Sequence, residues 1–154
     1  MGQHLYSVAD ARSSFDKMIA QLASTGAIVP NLSNVALADP DIRDRFYFRR
    51  DTHWTAVGSA VSATALARTV NTHAPDLFAN DGNLAFRELE ASGAIQEEGS
   101  LAEVVHKACG ITLPAETSET FNLSRNGDLF ETHVDDPAIA LLGSSFSNRY
   151  KRDH

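Results

Sequence analysis

The chain has 154 residues, 43% of them hydrophobic, which suits one domain with a real core and argues against a second. Its 20 acidic and 13 basic residues give a net charge of -7, and it has no Lys/Arg-rich run. That balance argues against nucleic acid or an anionic membrane as a partner, and points to a neutral one. Cys109 is the single cysteine, so an internal disulfide and a cysteine metal cage are both excluded while the compartment stays open. No apolar run approaches the length of a membrane span, and no signal-peptide pattern follows Met1.

Val8, Ala11, Phe15, Ile19 and Leu22 recur at helical spacing and predict a helix over 8–23, with Ser7 and Asp10 as a capping-box-like start and Gly26 just past its end. Residues 27–32 form a short apolar run interrupted by Pro30, which reads as a strand that ends early. Asp39-Pro40-Asp41 then places a turn and a short helix within 34–44. Thr55 can cap a long, alanine-rich helix to about residue 72, apolar almost all round and suited to packing between a sheet and another layer. Residues 75–83 read as a loop and 84–89 as a weakly alternating strand. Gly99-Ser100 opens a helix over 101–109 that Gly110 closes. The stretch 113–130, with the turn signal Asn126-Gly127-Asp128, reads as loop with one short strand. Alternating helices and strands predict an α/β fold, a small and mostly parallel sheet flanked by helices.

Two stretches carry the chemistry. Phe46-Tyr47-Phe48-Arg49-Arg50-Asp51-Thr52-His53-Trp54 supplies a carboxylate and an imidazole; in an extended segment, side chains at i and i+2 leave the same face, which would bring Asp51 and His53 together. Leu142-Gly143-Ser144-Ser145-Phe146-Ser147 supplies a hydroxyl. An apolar strand over 138–142 that runs into a glycine turn presenting Ser145 has the layout of a nucleophile elbow.

These residues resemble the alginate O-acetyltransferase family. The resemblance rests on Tyr-Phe-Arg-x-Asp-Thr-His-Trp-Thr, the alanine-rich helix after it, the Gly99-Ser100-Leu101 helix start and the late Gly-Ser-Ser-Phe-Ser block, and it spans roughly 27–150. It implies an SGNH-hydrolase-like catalytic domain, with the serine block after the Asp/His block, in reverse of ordinary SGNH hydrolases. It also implies a periplasmic location, a polysaccharide acceptor such as alginate, and an acetyl donor delivered through a membrane-bound O-acyltransferase. Carried over by position, Ser145 matches the nucleophile, His53 the general base and Asp51 the residue that orients it. Ser144 departs from the pattern, which has Asp or Thr there. The chain ends at His154, soon after the nucleophile block, and lacks the strand and the leader that the family has upstream. The resemblance therefore implies a domain truncated at both ends.

A serine hydroxyl is a poor nucleophile until a base takes its proton, and a carboxylate on the far ring nitrogen of the histidine fixes the tautomer and stabilises the imidazolium. The expected cycle is ping-pong: Ser145 accepts an acetyl group, and a sugar hydroxyl activated by His53 removes it. This asks for no cofactor and no metal. If water replaces the sugar, the same site is an acetylesterase. A non-catalytic polysaccharide-binding or scaffold protein is a further reading, as is a hydrolase in which Asp51, His53 and another histidine bind zinc. Trp54 could stack on a sugar, although packing is the plainer role, and Arg49 and Arg50 divide between solvent and a local carboxylate.

Overall fold

A computed structural model describes residues 7–78, 90–122, 124–125 and 128–129. In chain order these form α1 (Val8–Ser24), α2 (Leu32–Ala38), α3 (Pro40–Arg45), α4 (Ala56–His73), a 3-10 turn (Pro75–Phe78), β1 (Glu90–Glu97), α5 (Ser100–Cys109), β2 (Glu116–Asn122), β3 (Ser124–Arg125) and β4 (Asp128–Leu129). The chain divides into two compact units, Met1–Asp44 with Gly58–Leu84, and Arg45–Val57 with Ala85–His154.

In the first unit, α1 starts and stops where its sequence dictates. The Ser7 hydroxyl accepts a hydrogen bond from the Asp10 N–H at 3.2 Å. At the other end, the Gly26 N–H donates to the Ala23 carbonyl with φ +88°, a left-handed position that suits glycine. Ala11, Phe15 and Ile19 of the predicted stripe are half-buried, whereas Val8 and Leu22 at its two ends are exposed. One turn apart on α1, Arg12 donates to the Asn34 side chain at 3.1 Å and Asp16 accepts from Asn31 at 3.3 Å. These bonds tie α1 to the start of α2.

The strand expected over 27–32 does not form. Pro30 removes a ladder N–H, and the Asn31 side chain accepts from the Asn34 N–H at 3.1 Å, so capping chemistry wins over the apolar run and α2 begins at Leu32. The helix predicted after Thr55 is present as α4, but it is not buried all round. Ala56, Val57, Gly58 and Ser62 are buried, while most of its second half is exposed, Leu66 included.

The core of the second unit is Phe46, Phe48, Ala56, Val57 and Ala102. Phe46 and Phe48 alternate with exposed Tyr47, as a half-buried strand should, and each buried Phe contributes about 1.5–3 kcal/mol. The sheet differs from expectation: among the described residues both strand pairs, β1 with β2 and β3 with β4, are antiparallel, so the mostly parallel sheet is not found there. A helix between two strands usually marks a parallel crossover. Here Gly110, at φ +70°, ends α5 in the left-handed conformation, and 111–115 lead back into β2 running against β1. The β1–β2 pair is largely polar, with Ser92 bonded to Thr120 at 3.0 Å and Gln96 to Thr117 at 2.8 Å. Along β2, Glu116, Ser118 and Thr120 share the less exposed face. The strand expected over 84–89 and the apolar strand over 138–142 lie outside the described residues.

Candidate active site

The segment from Phe46 to Thr55 folds back on itself as a small ribbon. The Thr55 N–H donates to the Phe46 carbonyl at 3.0 Å and the Phe48 N–H to the His53 carbonyl at 3.2 Å, with Tyr47 and Trp54 as the bridging pair between them. The four residues at the tip, 49–52, make the turn. Asp51 and His53 therefore do not meet by extended alternation, as the spacing alone suggests. They meet because the Asp51 side chain folds over the turn: its Oδ1 accepts from the His53 backbone N–H at 2.8 Å, the bond of an Asx turn, and also contacts His53 Nδ1 at 2.5 Å.

That second contact is the chemical one. The Asp51 side chain is 4% exposed and that of His53 19%, so the pair is largely withdrawn from water while the imidazole keeps some access. A carboxylate on Nδ1 holds the proton there, which puts the lone pair of a neutral ring on Nε2, the arrangement a general base requires.

The other carboxylate oxygen is held from across the unit. Asp51 Oδ2 accepts from the Ser100 N–H at 2.7 Å, at the first turn of α5. A helix start leaves N–H groups without partners and carries a partial positive charge, so an anion is stabilised there. Gly99, in the N-cap position, has no side chain with which to cap; the turn does so instead. The Arg50 carbonyl accepts from Leu101 and Ala102 N–H at 3.0 and 3.2 Å. Gly99 is at φ +83°, and a Cβ there would come within 2.7 Å of the Arg50 carbonyl carbon. Only glycine allows the approach. Thus Asp51 serves two structures at once, orienting the imidazole and closing the helix.

Three more contacts fix the turn. Glu116 on β2 accepts from the Arg49 N–H at 3.1 Å and from the Arg50 N–H at 2.8 Å, through different oxygens. The Arg50 guanidinium donates to the Pro114 carbonyl. Apart from these three, Arg45 pairs with Glu119 at 2.7 Å on the surface. The two arginines thus meet a carboxylate through their backbone, and the side chain of Arg50 turns to a carbonyl. Glu116 is not visible from sequence reasoning, since it lies in a stretch without a clear period; its place on the less exposed face of β2 becomes apparent only with the strand register.

Trp54 is half-buried in the ribbon, consistent with packing. His73 and His106 are exposed and bonded locally, to the Thr69 carbonyl at 2.9 Å and the Thr112 hydroxyl at 3.3 Å. Among the described residues, no group of three or more His, Cys, Asp and Glu is placed to hold a metal ion. Ser145, Ser144, Ser147 and His133 lie outside the described residues, so the structure brings together two of the three predicted site residues. Within the first unit, Pro30, Val35, Ala60, Val61, Ala65 and Arg68 line an apolar groove of about 490 Å³, which contains neither Asp51 nor His53.

Comparison with known proteins converges on one group. The chain is 32% identical over 147 residues to the alginate biosynthesis protein AlgX of Pseudomonas putida, and 32% identical over 149 residues to that of Azotobacter vinelandii. These matches take in 90% and 89% of this chain but only 30% and 29% of the relatives, so the chain spans less than a third of their length. Among solved structures, AlgX of Pseudomonas aeruginosa superposes with a TM-score of 0.64 at 21% identity, over 77% of this chain and 28% of that one. The O-acetyltransferase domain of Pseudomonas putida AlgJ superposes at 0.56 with 20% identity, over 80% of this chain and 43% of that one. Both are likenesses of fold. The family described as the SGNH hydrolase-like domain of the acetyltransferase AlgX matches residues 2–152, and the chain belongs to that family.

Proposed function

We propose that this protein is a serine-dependent O-acetyltransferase that moves an acetyl group through a Ser145 acyl-enzyme to hydroxyls of an extracellular polysaccharide such as alginate. The observation that carries the reading is the buried Asp51 carboxylate on Nδ1 of His53, at 2.5 Å, within a family of acetyltransferase domains. In the first half-reaction, Nε2 of His53 takes the Ser145 proton as the hydroxyl oxygen attacks the acetyl carbonyl. The imidazolium, stabilised by Asp51, then returns that proton to the departing donor oxygen. In the second, His53 takes the proton of a sugar hydroxyl, which attacks the acyl-enzyme, and Ser145 leaves with the proton. The Ser145 backbone N–H is the proposed oxyanion donor, worth on the order of 100-fold in rate. The reading includes a periplasmic location and a donor chain through a membrane-bound O-acyltransferase.

The test uses a chromogenic acetyl ester, with mass spectrometry of Ser145, on wild type, Ser145→Ala and His53→Ala. Acetylated Ser145 in wild type with both variants inert is the expected result. Adding oligosaccharide acceptor then separates transferase from esterase by where the acetyl group goes. Equal behaviour of all three proteins would remove the triad and favour a binding or scaffold role.

A further inference from the structure

We infer that Glu116 is a positioning residue for the Asp51–His53 pair. The inference rests on the reading of that pair as the acid–base machinery of the proposed function. The Glu116 side chain bonds to the backbone ahead of the pair and not to either member of it. Its carboxylate bridges two successive backbone N–H groups, Arg49 through Oε1 at 3.1 Å and Arg50 through Oε2 at 2.8 Å. Successive N–H groups in a turn make a small concavity of positive potential, and a carboxylate fills it as a charge-assisted clamp. The residue clamped is the one immediately before Asp51, and its carbonyl carries the Leu101 and Ala102 N–H groups of α5.

The turn is therefore held from two sides. On one side, α5 grips the Arg50 carbonyl and, through Ser100, one oxygen of Asp51. On the other, β2 grips the Arg49 and Arg50 N–H groups through Glu116, and the segment leading into it holds the Arg50 guanidinium through the Pro114 carbonyl. Arg50 is held on both sides of its α-carbon, at its N–H by Glu116 and at its carbonyl by α5, which restricts rotation about the Arg50 backbone and so fixes the direction in which the chain enters Asp51. The direction of the Asp51 side chain, and with it the imidazole, follows. Without Glu116 the Arg49 and Arg50 N–H groups turn to water, and the backbone of the tip loses its hold on the β2 side. The nearby Arg45–Glu119 pair is exposed at both ends and is the matched control.

The conservative substitution is informative here. In Glu116→Gln the carbonyl oxygen can still accept from one N–H, but the amide nitrogen then faces the other as donor against donor. Glu116→Ala removes both bonds. The experiment measures, in the full 154-residue chain, the far-downfield proton signal of the His53 Nδ1–H and kcat and KM for the chromogenic acetyl ester. The proteins compared are wild type, Glu116→Gln, Glu116→Ala and Glu119→Ala.

Expected are a broadened or lost His53 signal and a kcat lowered about 10- to 100-fold at little-changed KM in Glu116→Ala, since small misplacement of a reacting group has effects of that size. Glu116→Gln falls between, and Glu119→Ala matches wild type. Should Glu116→Ala fail to fold, the isosteric Gln variant is read in its place. A wild-type His53 signal in both Glu116 variants overturns the inference, whether or not kcat falls. Loss of the signal with kcat unchanged upholds the positioning and instead overturns the catalytic reading of the pair.

Discussion

Replacing Gly99 by alanine strikes the joint between the turn and α5. Two effects act there. At φ +83° and ψ 136°, outside the left-handed helical region, an alanine is strained by about 1–3 kcal/mol relative to glycine. In addition, its Cβ would overlap the Arg50 carbonyl, a backbone group that cannot swing away as a side chain can. The turn must retreat, and the Leu101 and Ala102 bonds to Arg50 lengthen or break, at about 1 kcal/mol each. The sum is about 3–5 kcal/mol, a large share of the ~5–15 kcal/mol that stabilises a typical domain. Gly110, at the other end of the same helix, supplies the control: it too has positive φ, +70°, but a Cβ there meets nothing within 4 Å. Gly110→Ala should therefore show only the backbone effect, about 1–2 kcal/mol. Urea unfolding of the two variants, followed by circular dichroism, reads the difference. Unfolding free energies that agree to within about 0.5 kcal/mol would refute the close approach of Gly99 to Arg50 as a determinant of the site.

Asp51→Asn retains shape but places an amide nitrogen against one of three donors, the His53 N–H, the His53 ring or the Ser100 N–H, and no longer fixes the tautomer. It should lower kcat for ester cleavage on the order of 1,000-fold or more, and a loss under tenfold would count against the role of Asp51. The Glu103 carboxyl should titrate below its ordinary 4.5, because Lys107 one turn later donates to it at 2.5 Å and adds its charge. With the folded value depressed, the contribution of this exposed pair is present above 4.5 and fades as pH falls through the lower folded value. A carbon-13 NMR titration checks it: Lys107→Ala should return the Glu103 midpoint upward, and an unmoved midpoint would contradict the assigned cause.

The helices were legible because their signals are local. Ser7, Gly26 and Gly110 mark ends by their own chemistry, and the ends of α1, α4 and α5 fall within a residue or so of the places the sequence indicates. The Asp51–His53 pairing was legible too, but for a different reason than spacing in an extended strand; the short acidic side chain makes its own turn, an option that periodicity does not register. Residues 27–32 misled because an apolar run says nothing about which backbone groups will be satisfied, whereas Pro30 and Asn31 decide that. The β1–β2 pair was hidden in polar sequence. Its strands, Glu-Ala-Ser-Gly-Ala-Ile-Gln-Glu and Glu-Thr-Ser-Glu-Thr-Phe-Asn, are joined by main-chain bonds and hydroxyl contacts and lack an apolar stripe. Glu116 could not be found without that register, since its partners are backbone N–H groups in a segment far away in sequence.

The cap of α5 has a consequence for how such a chain can change over time. Because Gly99 brings no capping side chain, the start of the helix is capped by Asp51 and the Arg50 carbonyl, so the carboxylate serves the fold as well as the proposed chemistry. In a descendant without the proposed catalysis, Ser145 and His53 would be at liberty to drift. Asp51 and Gly99 would still be held in place by the helix, and their persistence alone would be no sign of a living enzyme.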